Sequence, residues 1–156
     1  MLNEKLLHHP GGFHASETLV QTLEFETQAL VFESEAFARM RESLLGLLER
    51  AEGLDAPARM EAAEELEQSD DPALLLTTLR SLLRDLVALR AGAGPEALVN
   101  ADLAARLAPL AAGPLAERAP RLADRAAEAR RALRGFAGKL PTFDLLVDAL
   151  AGDDPA

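Results

Sequence analysis

Hydrophobic residues recur along the chain at spacings of three and four, which predicts amphipathic α-helices. The clearest helix begins at Asp71-Pro72, an N-cap followed by a proline at the first helical position, and ends at Gly92. Burying its five periodic leucines would contribute on the order of 10 kcal/mol as an upper estimate. We therefore expect a core helix whose buried face carries Leu75, Leu79, Leu82, Leu83 and Leu86.

The first half of the chain predicts further helices on either side of Gly53. Ser16 is a plausible N-cap for an apolar pattern that runs to Leu48, and the sequence leaves open whether residues 16–52 form one helix or two. Asp55 and Pro57 then open a short acidic helix that ends near Ser69. Its apolar stripe is thin.

The second half predicts three more helices. Asn100 is expected to cap a helix that ends at Gly113-Pro114, Pro120 marks the start or a kink of a long helix, and a last short helix follows Pro141. The long helix has a seam of apolar residues, and the last helix has an apolar face. The seam residues are Leu122, Ala126, Ala129, Leu133 and Phe136, and the face residues are Phe143, Leu146, Val147 and Leu150.

The predicted fold class is all-α, a helical bundle of about five to seven helices. We expect a single helical domain over residues 16–151, after a disordered or poorly ordered N-terminus (1–15) and before a polar tail (152–156). The composition agrees, because leucine, alanine, glutamate and arginine are abundant while tryptophan and tyrosine are absent.

Composition also limits the class of protein. The absence of cysteine excludes a disulfide scaffold and a thiolate metal site, and we expect a cytoplasmic protein without a signal peptide or a membrane span. The formal net charge of -10 argues against autonomous binding to nucleic acid. Residues 117–139 are the exception, with seven basic and three acidic side chains.

No catalytic constellation stands out in the sequence. A phosphate-binding loop is absent, and His8, His9 and His14 lie among helix breakers, where the spacing of His14 to Glu17 is a weak indication of a metal. The glutamates of 61–67 are more economically a solvated helix face. We therefore expect no enzyme activity, no cofactor and no small-molecule substrate.

The arginines near the end of the long helix have two interpretations. They could form i, i+3 or i, i+4 pairs on an exposed helix, as Glu128 and Arg131 are spaced to do, and this is the favoured interpretation. Alternatively, Arg130, Arg131 and Arg134 could project towards an acidic partner subunit or DNA.

Three segments carry a resemblance to a known family: LLTTLRSLLRDLVALRAG (75–92), LVNADLAARL (98–107) and AEARRALRGFAGKLPTFDLLVDAL (127–150). In combination they resemble the C-terminal collar domain of the delta-prime subunits of bacterial DNA polymerase III clamp loaders, which are relatives of the gamma/tau subunits. The Arg84-Asp85 pair and the Asn100-x-Asp102-Leu103 helix start match this pattern. Two features depart from it: the loop Phe136-Ala137-Gly138, and the missing ATPase-like region.

The resemblance implies a non-catalytic oligomerisation module that supports sliding-clamp loading in DNA replication. It implies gamma/tau and delta subunits as partners, with DNA contact only indirect or weak, and no membrane. The candidate interface residues are Arg84, Asp85, Arg130, Arg131 and Arg134. Two other hypotheses stay open: an acidic helical regulator that captures a basic partner through residues 1–70, and a di-metal enzyme.

Overall fold

The computed structural model describes residues 34–153, which are helical with short connections and contain no strand. Among the described residues, the boundary between two units lies between Arg39 and Met40. The predicted all-α class is confirmed. The predicted tail at 1–15 and the helix start at Ser16 lie outside the described residues. The six described helices are α1 (34–50), α2 (Ala56–Glu67), α3 (Pro72–Arg90), α4 (Ala104–Ala111), α5 (Pro114–Arg134) and α6 (Lys139–Ala151).

Helix α3 is the centre of the bundle and packs mainly against α5. The Asp71 carboxylate accepts a hydrogen bond from the backbone N–H of Leu74 at 2.9 Å, as expected of an N-cap. At the other end Gly92 adopts the left-handed conformation, with φ of +86°. All five leucines of the predicted core face are buried, so this prediction is confirmed.

Helices α2 and α6 close the other side of the core, where they pack against each other and α6 also packs against α5. Asp55 caps α2 as predicted, since its carboxylate accepts from the Ala58 N–H at 2.9 Å. The four apolar residues predicted for the buried face of the last helix are all buried. That helix begins at Lys139, so Pro141 lies within its first turn rather than before it.

Two helix starts differ from the prediction: the one at Asn100, and the one at Pro120, for which the alternative of a kink stays a prediction. Asn100 makes no capping hydrogen bond, and α4 begins at Ala104, after a 3-10 turn over Ala101–Leu103. Helix α5 begins at Pro114, after an extended Gly113, and continues through Pro120. Pro120 lacks the N–H that would bond to the preceding turn, but buried residues on both sides of it hold the helix against the core.

Phe136 is not part of the α5 seam, contrary to the prediction. Leu122, Ala126 and Ala129 are buried as expected, but the helix ends at Arg134. Phe136 lies two residues beyond that end with φ of +65°, and its side chain is 98% exposed. The regular spacing of apolar residues in the sequence extends to Phe136, although the helix itself ends at Arg134.

Ion pairs join α1 to the segment around α4. Arg106 pairs with both Glu42 and Glu49, and Arg41 donates two hydrogen bonds to the Asp102 carboxylate, at 3.1 and 2.6 Å. Such exposed pairs contribute little individually, but a two-carboxylate arrangement around one guanidinium fixes the relative position of the helices. No helix in the described part of the chain is long and apolar enough to cross a membrane.

Candidate subunit interface

The Arg84-Asp85 motif on α3 pairs an exposed residue, Arg84, with a buried one, Asp85. Asp85 is fully buried, and its carboxylate accepts hydrogen bonds from the backbone N–H groups of Val99 (3.0 Å) and Asn100 (2.8 Å). The Asn100 side chain donates a third bond to Asp85 at 2.8 Å and a further one to Ser81 at 3.2 Å. The motif therefore fastens the α3–α4 connection onto α3.

This placement corrects the prediction for Asp85 as a contact residue. A side chain without exposed surface cannot touch a partner subunit, and a buried carboxylate is stable only when its oxygens are hydrogen-bonded. Asp85 is instead a positioning residue, and the partner that it holds is Asn100. The same bonds explain why Asn100 does not cap α4: its amide nitrogen points to α3.

The predicted interface arginines are all accessible to some degree. Arg84, Arg131 and Arg134 are exposed, and Arg130 is half-buried. The Nε atom of Arg130 is buried without a hydrogen-bond partner, which is an uncommon and costly state for a donor. Of the intrahelical pairs in the favoured interpretation, the described part of α5 shows the one between Arg125 and Glu128, at 3.3 Å.

Ion pairing separates the arginines of residues 40–153 into two groups. Seven of them pair with a carboxylate. Six have no ion pair within the described residues, and all four predicted interface arginines belong to this group. The six are Arg80, Arg84, Arg121, Arg130, Arg131 and Arg134.

The structure does not bring the predicted residues into one cluster. Arg90, at the end of α3, donates to the Gly113 carbonyl and pairs with Glu117, so α3 and α5 run antiparallel. At a rise of 1.5 Å per residue, Arg84 on α3 lies ~9 Å along the bundle from Arg90. Arg131 on α5 lies ~20 Å along the bundle from the same end. The unpaired arginines are thus spread along the bundle rather than gathered at a single site.

A groove of about 400 Å³ lies between α5 and α6. Ala129, Ala132, Leu145 and Leu146 give it an apolar part, charged side chains also line it, and none of the six unpaired arginines does. Within residues 34–153 no group of three or more histidine or carboxylate side chains is placed to hold a metal ion. The histidines of the di-metal hypothesis lie outside the described residues.

The ion-pair cluster of Glu42, Glu49 and Arg106 shifts acid–base equilibria. The hydrogen bond from Arg106 lowers the pKa of Glu49, and hydrogen bonds to Glu49 and then Glu42 raise the pKa of Arg106. Both shifts favour the charged forms of Glu49 and Arg106. The cluster joins α1 to α4.

Sequence reasoning missed the residues whose role depends on distant partners. The sequence predicts Asn100 as an N-cap because asparagine is common at that position. Its side chain instead donates to Asp85, which lies 15 residues earlier in the chain. Phe136 was missed for a different reason. A glycine directly before it and a second one two residues after it marked a turn, which was a usable signal that the helix had ended.

Comparison with protein families gives one result. Residues 36–147 match the model described as "DNA polymerase III, delta subunit, C terminal". No curated protein and no solved structure matches the chain significantly. The matched segment runs from α1 into α6 and includes the Asp85–Asn100 connection. The chain therefore belongs to the family of C-terminal domains of the DNA polymerase III delta subunit.

Proposed function

We propose that this chain is a non-catalytic collar module of a clamp loader, which holds other clamp-loader subunits together during sliding-clamp loading. The observation that carries the proposal is the family match, which covers nearly all of the helical bundle rather than an isolated motif. The module performs no hydrolysis in this proposal and works in the cytoplasm. Its surfaces, rather than a pocket with reactive groups, are its functional parts.

The unpaired arginines support an interface with an acidic partner. An exposed guanidinium that already has a carboxylate partner gains little from a second one, whereas an unpaired guanidinium can form new bidentate bonds. Arg84, Arg131 and Arg134 are exposed and unpaired within the described residues. The net charge of -10 makes DNA a weaker candidate than protein for the same surface.

We further propose a subunit of the delta-prime type. The match description names the delta subunit, whereas the segments at 75–92, 98–107 and 127–150 resemble delta-prime subunits. The two assignments predict different complexes. A delta-prime module binds gamma/tau and delta, and a delta module binds gamma/tau and delta-prime.

Size-exclusion chromatography of purified proteins tests both statements. The chain is mixed separately with the gamma/tau, delta and delta-prime subunits of the same organism, and with gamma/tau together with each of the other two. We expect the chain to co-elute with gamma/tau and to retain delta in the three-component mixture. Elution alone in every mixture, from a chain with a helical circular dichroism spectrum, would contradict the proposal.

One observation favours a second candidate, an acidic regulator that binds a basic partner. Residues 1–70 carry 15 acidic and five basic side chains, and the exposed Glu61 and Glu64 on α2 have no ion pair in the described part of the chain. This candidate predicts binding that weakens steeply with salt. It also predicts no affinity for clamp-loader subunits.

A further inference from the structure

Three helices of this protein end in the same backbone motif, and one of them is unusual. In each, a residue beyond the last helical turn takes a positive φ, and two backbone N–H groups bond back to the final turn. The left-handed residue is Gly92 after α3 and Gly152 after α6, where the missing side chain avoids a steric penalty. After α5 it is Phe136.

The hydrogen bonds show that α5 ends in the complete motif. The Ala137 N–H donates to the Ala132 carbonyl at 3.0 Å, and the Phe136 N–H donates to the Leu133 carbonyl at 3.3 Å. The left-handed position is therefore fixed at residue 136, although Gly135 directly precedes it in the chain. A bulky aromatic residue is a true outlier in this conformation.

Phe136 is unfavourable for the isolated chain in a second way. Its side chain is 98% exposed, the highest value among the large hydrophobic residues described. An exposed aromatic ring is unfavourable in water, and its burial against a partner contributes a large favourable free energy of binding. The conformation and the exposure are independent, and both are explained if another molecule covers the ring.

The charges around Phe136 indicate the chemistry of that molecule. Arg134 precedes it by two residues and Lys139 follows it by three, and both side chains are exposed. Lys139 donates to the Ser69 carbonyl at 3.5 Å, which brings the exposed Asp70 to the same end of the bundle. Two exposed cationic side chains therefore lie within three residues of Phe136 along the chain.

We propose that Phe136 is the anchor of the subunit contact: it inserts into an apolar pocket of a protein partner whose rim carries carboxylates. This inference rests on the proposed function and names the part of the surface that carries the contact. Residues that dominate binding lie near the centre of an interface, are often aromatic or arginine, and few of them carry most of the affinity. Arg134 and Lys139 would pair with the carboxylates of the rim.

The test uses three variants of the full chain with the clamp-loader subunit that binds it. Phe136→Asn removes the ring but keeps a residue that tolerates positive φ. Val99→Asn is the matched control, because Val99 is also exposed (58%) and apolar but lies on the α3–α4 connection. Phe136→Trp introduces the only tryptophan of the chain and reports on burial of the ring by its fluorescence.

We expect Phe136→Asn to weaken binding about ten-fold or more, and Val99→Asn to leave it within about two-fold, below the hot-spot range. The emission of the Phe136→Trp variant should shift to the blue when the subunit is added. Wild-type affinity of Phe136→Asn, or unchanged emission in a formed complex, overturns the anchor while leaving the proposed function standing.

Other outcomes overturn the anchor for different reasons. If the wild-type chain binds no clamp-loader subunit, the proposed function fails together with the anchor. A blue shift of the Phe136→Trp variant with single-stranded DNA or anionic vesicles, and none with protein, assigns the ring to those surfaces instead. Emission that is already blue in the free chain, and moves to the red when residues 1–33 are removed, shows that the chain covers the ring itself.

Discussion

Replacing Asp85 with alanine should strongly destabilise the protein. The carboxylate accepts three hydrogen bonds, two from backbone N–H groups and one from the Asn100 side chain. Hydrogen bonds to a charged group contribute about 1.5–3 kcal/mol each, and a buried donor that loses its partner adds a penalty. The Val99 side is partly exposed, so water replaces some of what is lost.

These terms predict a decrease in the free energy of unfolding of about 3–5 kcal/mol for Asp85→Ala, which corresponds to the net loss of about two such hydrogen bonds. This is a large part of the ~5–15 kcal/mol that stabilises a typical domain. Urea denaturation followed by circular dichroism measures it, since the chain has no tryptophan or tyrosine to report by fluorescence.

Arg84→Ala is the matched control, because Arg84 is the exposed neighbour of Asp85 on the same helix. It should change the free energy of unfolding by about 0.5 kcal/mol or less. Combining Asp85→Ala with Asn100→Ala should cost less than the sum of the two single changes, because both remove the same network. If Asp85→Ala lies within about 1 kcal/mol of the control, a typical effect for any substitution, the network does not hold the connection.

Three further predictions concern positions where the structure departs from the sequence pattern or shifts a pKa. Pro120→Ala should raise the free energy of unfolding by about 1 kcal/mol or more, measured by urea denaturation, because it restores an N–H inside α5 at an exposed position. Phe136→Gly should raise it by about 1 kcal/mol, since glycine takes the left-handed conformation without a side-chain clash; a lower melting temperature would contradict the role of the motif. The lowered pKa of Glu49 stabilises the fold above the unfolded value of ~4.3, and this contribution is lost as pH falls through the folded value. Arg106→Gln should therefore reduce the loss of stability in an acid titration, by a small amount because both side chains are partly exposed.

The sequence predicted the helices whose ends carry local chemistry. Asp71-Pro72 and Asp55 are caps that act within three residues, and the spacing of the α3 leucines reflects one helical face. These signals need no knowledge of the rest of the fold. The buried face of α3 followed from them, and the six helices of residues 34–153 fall within the predicted five to seven.

The sequence could not predict contacts set by tertiary structure. Asp85 and Asn100 look like surface and capping residues, and their pairing depends on how the connection folds back on α3. Pro120 looks like a helix start, yet packing of the residues around it overrides the local preference. At the candidate interface, the sequence named the arginines as contact residues. It could not predict which of them form ion pairs within the described residues, because that depends on where the nearby carboxylates lie.

A binding titration tests the central claim that this bundle joins a clamp loader. Because the chain has no cysteine, Glu61→Cys on the exposed face of α2 gives one site for a fluorescent dye. The labelled chain is titrated with purified gamma/tau subunit of the same organism, and fluorescence anisotropy is recorded. We predict a saturable rise that unlabelled chain reverses and that a variant with Arg84, Arg131 and Arg134 changed to glutamate does not show. A flat titration with correctly folded proteins, repeated with delta and delta-prime, would contradict the assignment to clamp-loader assembly.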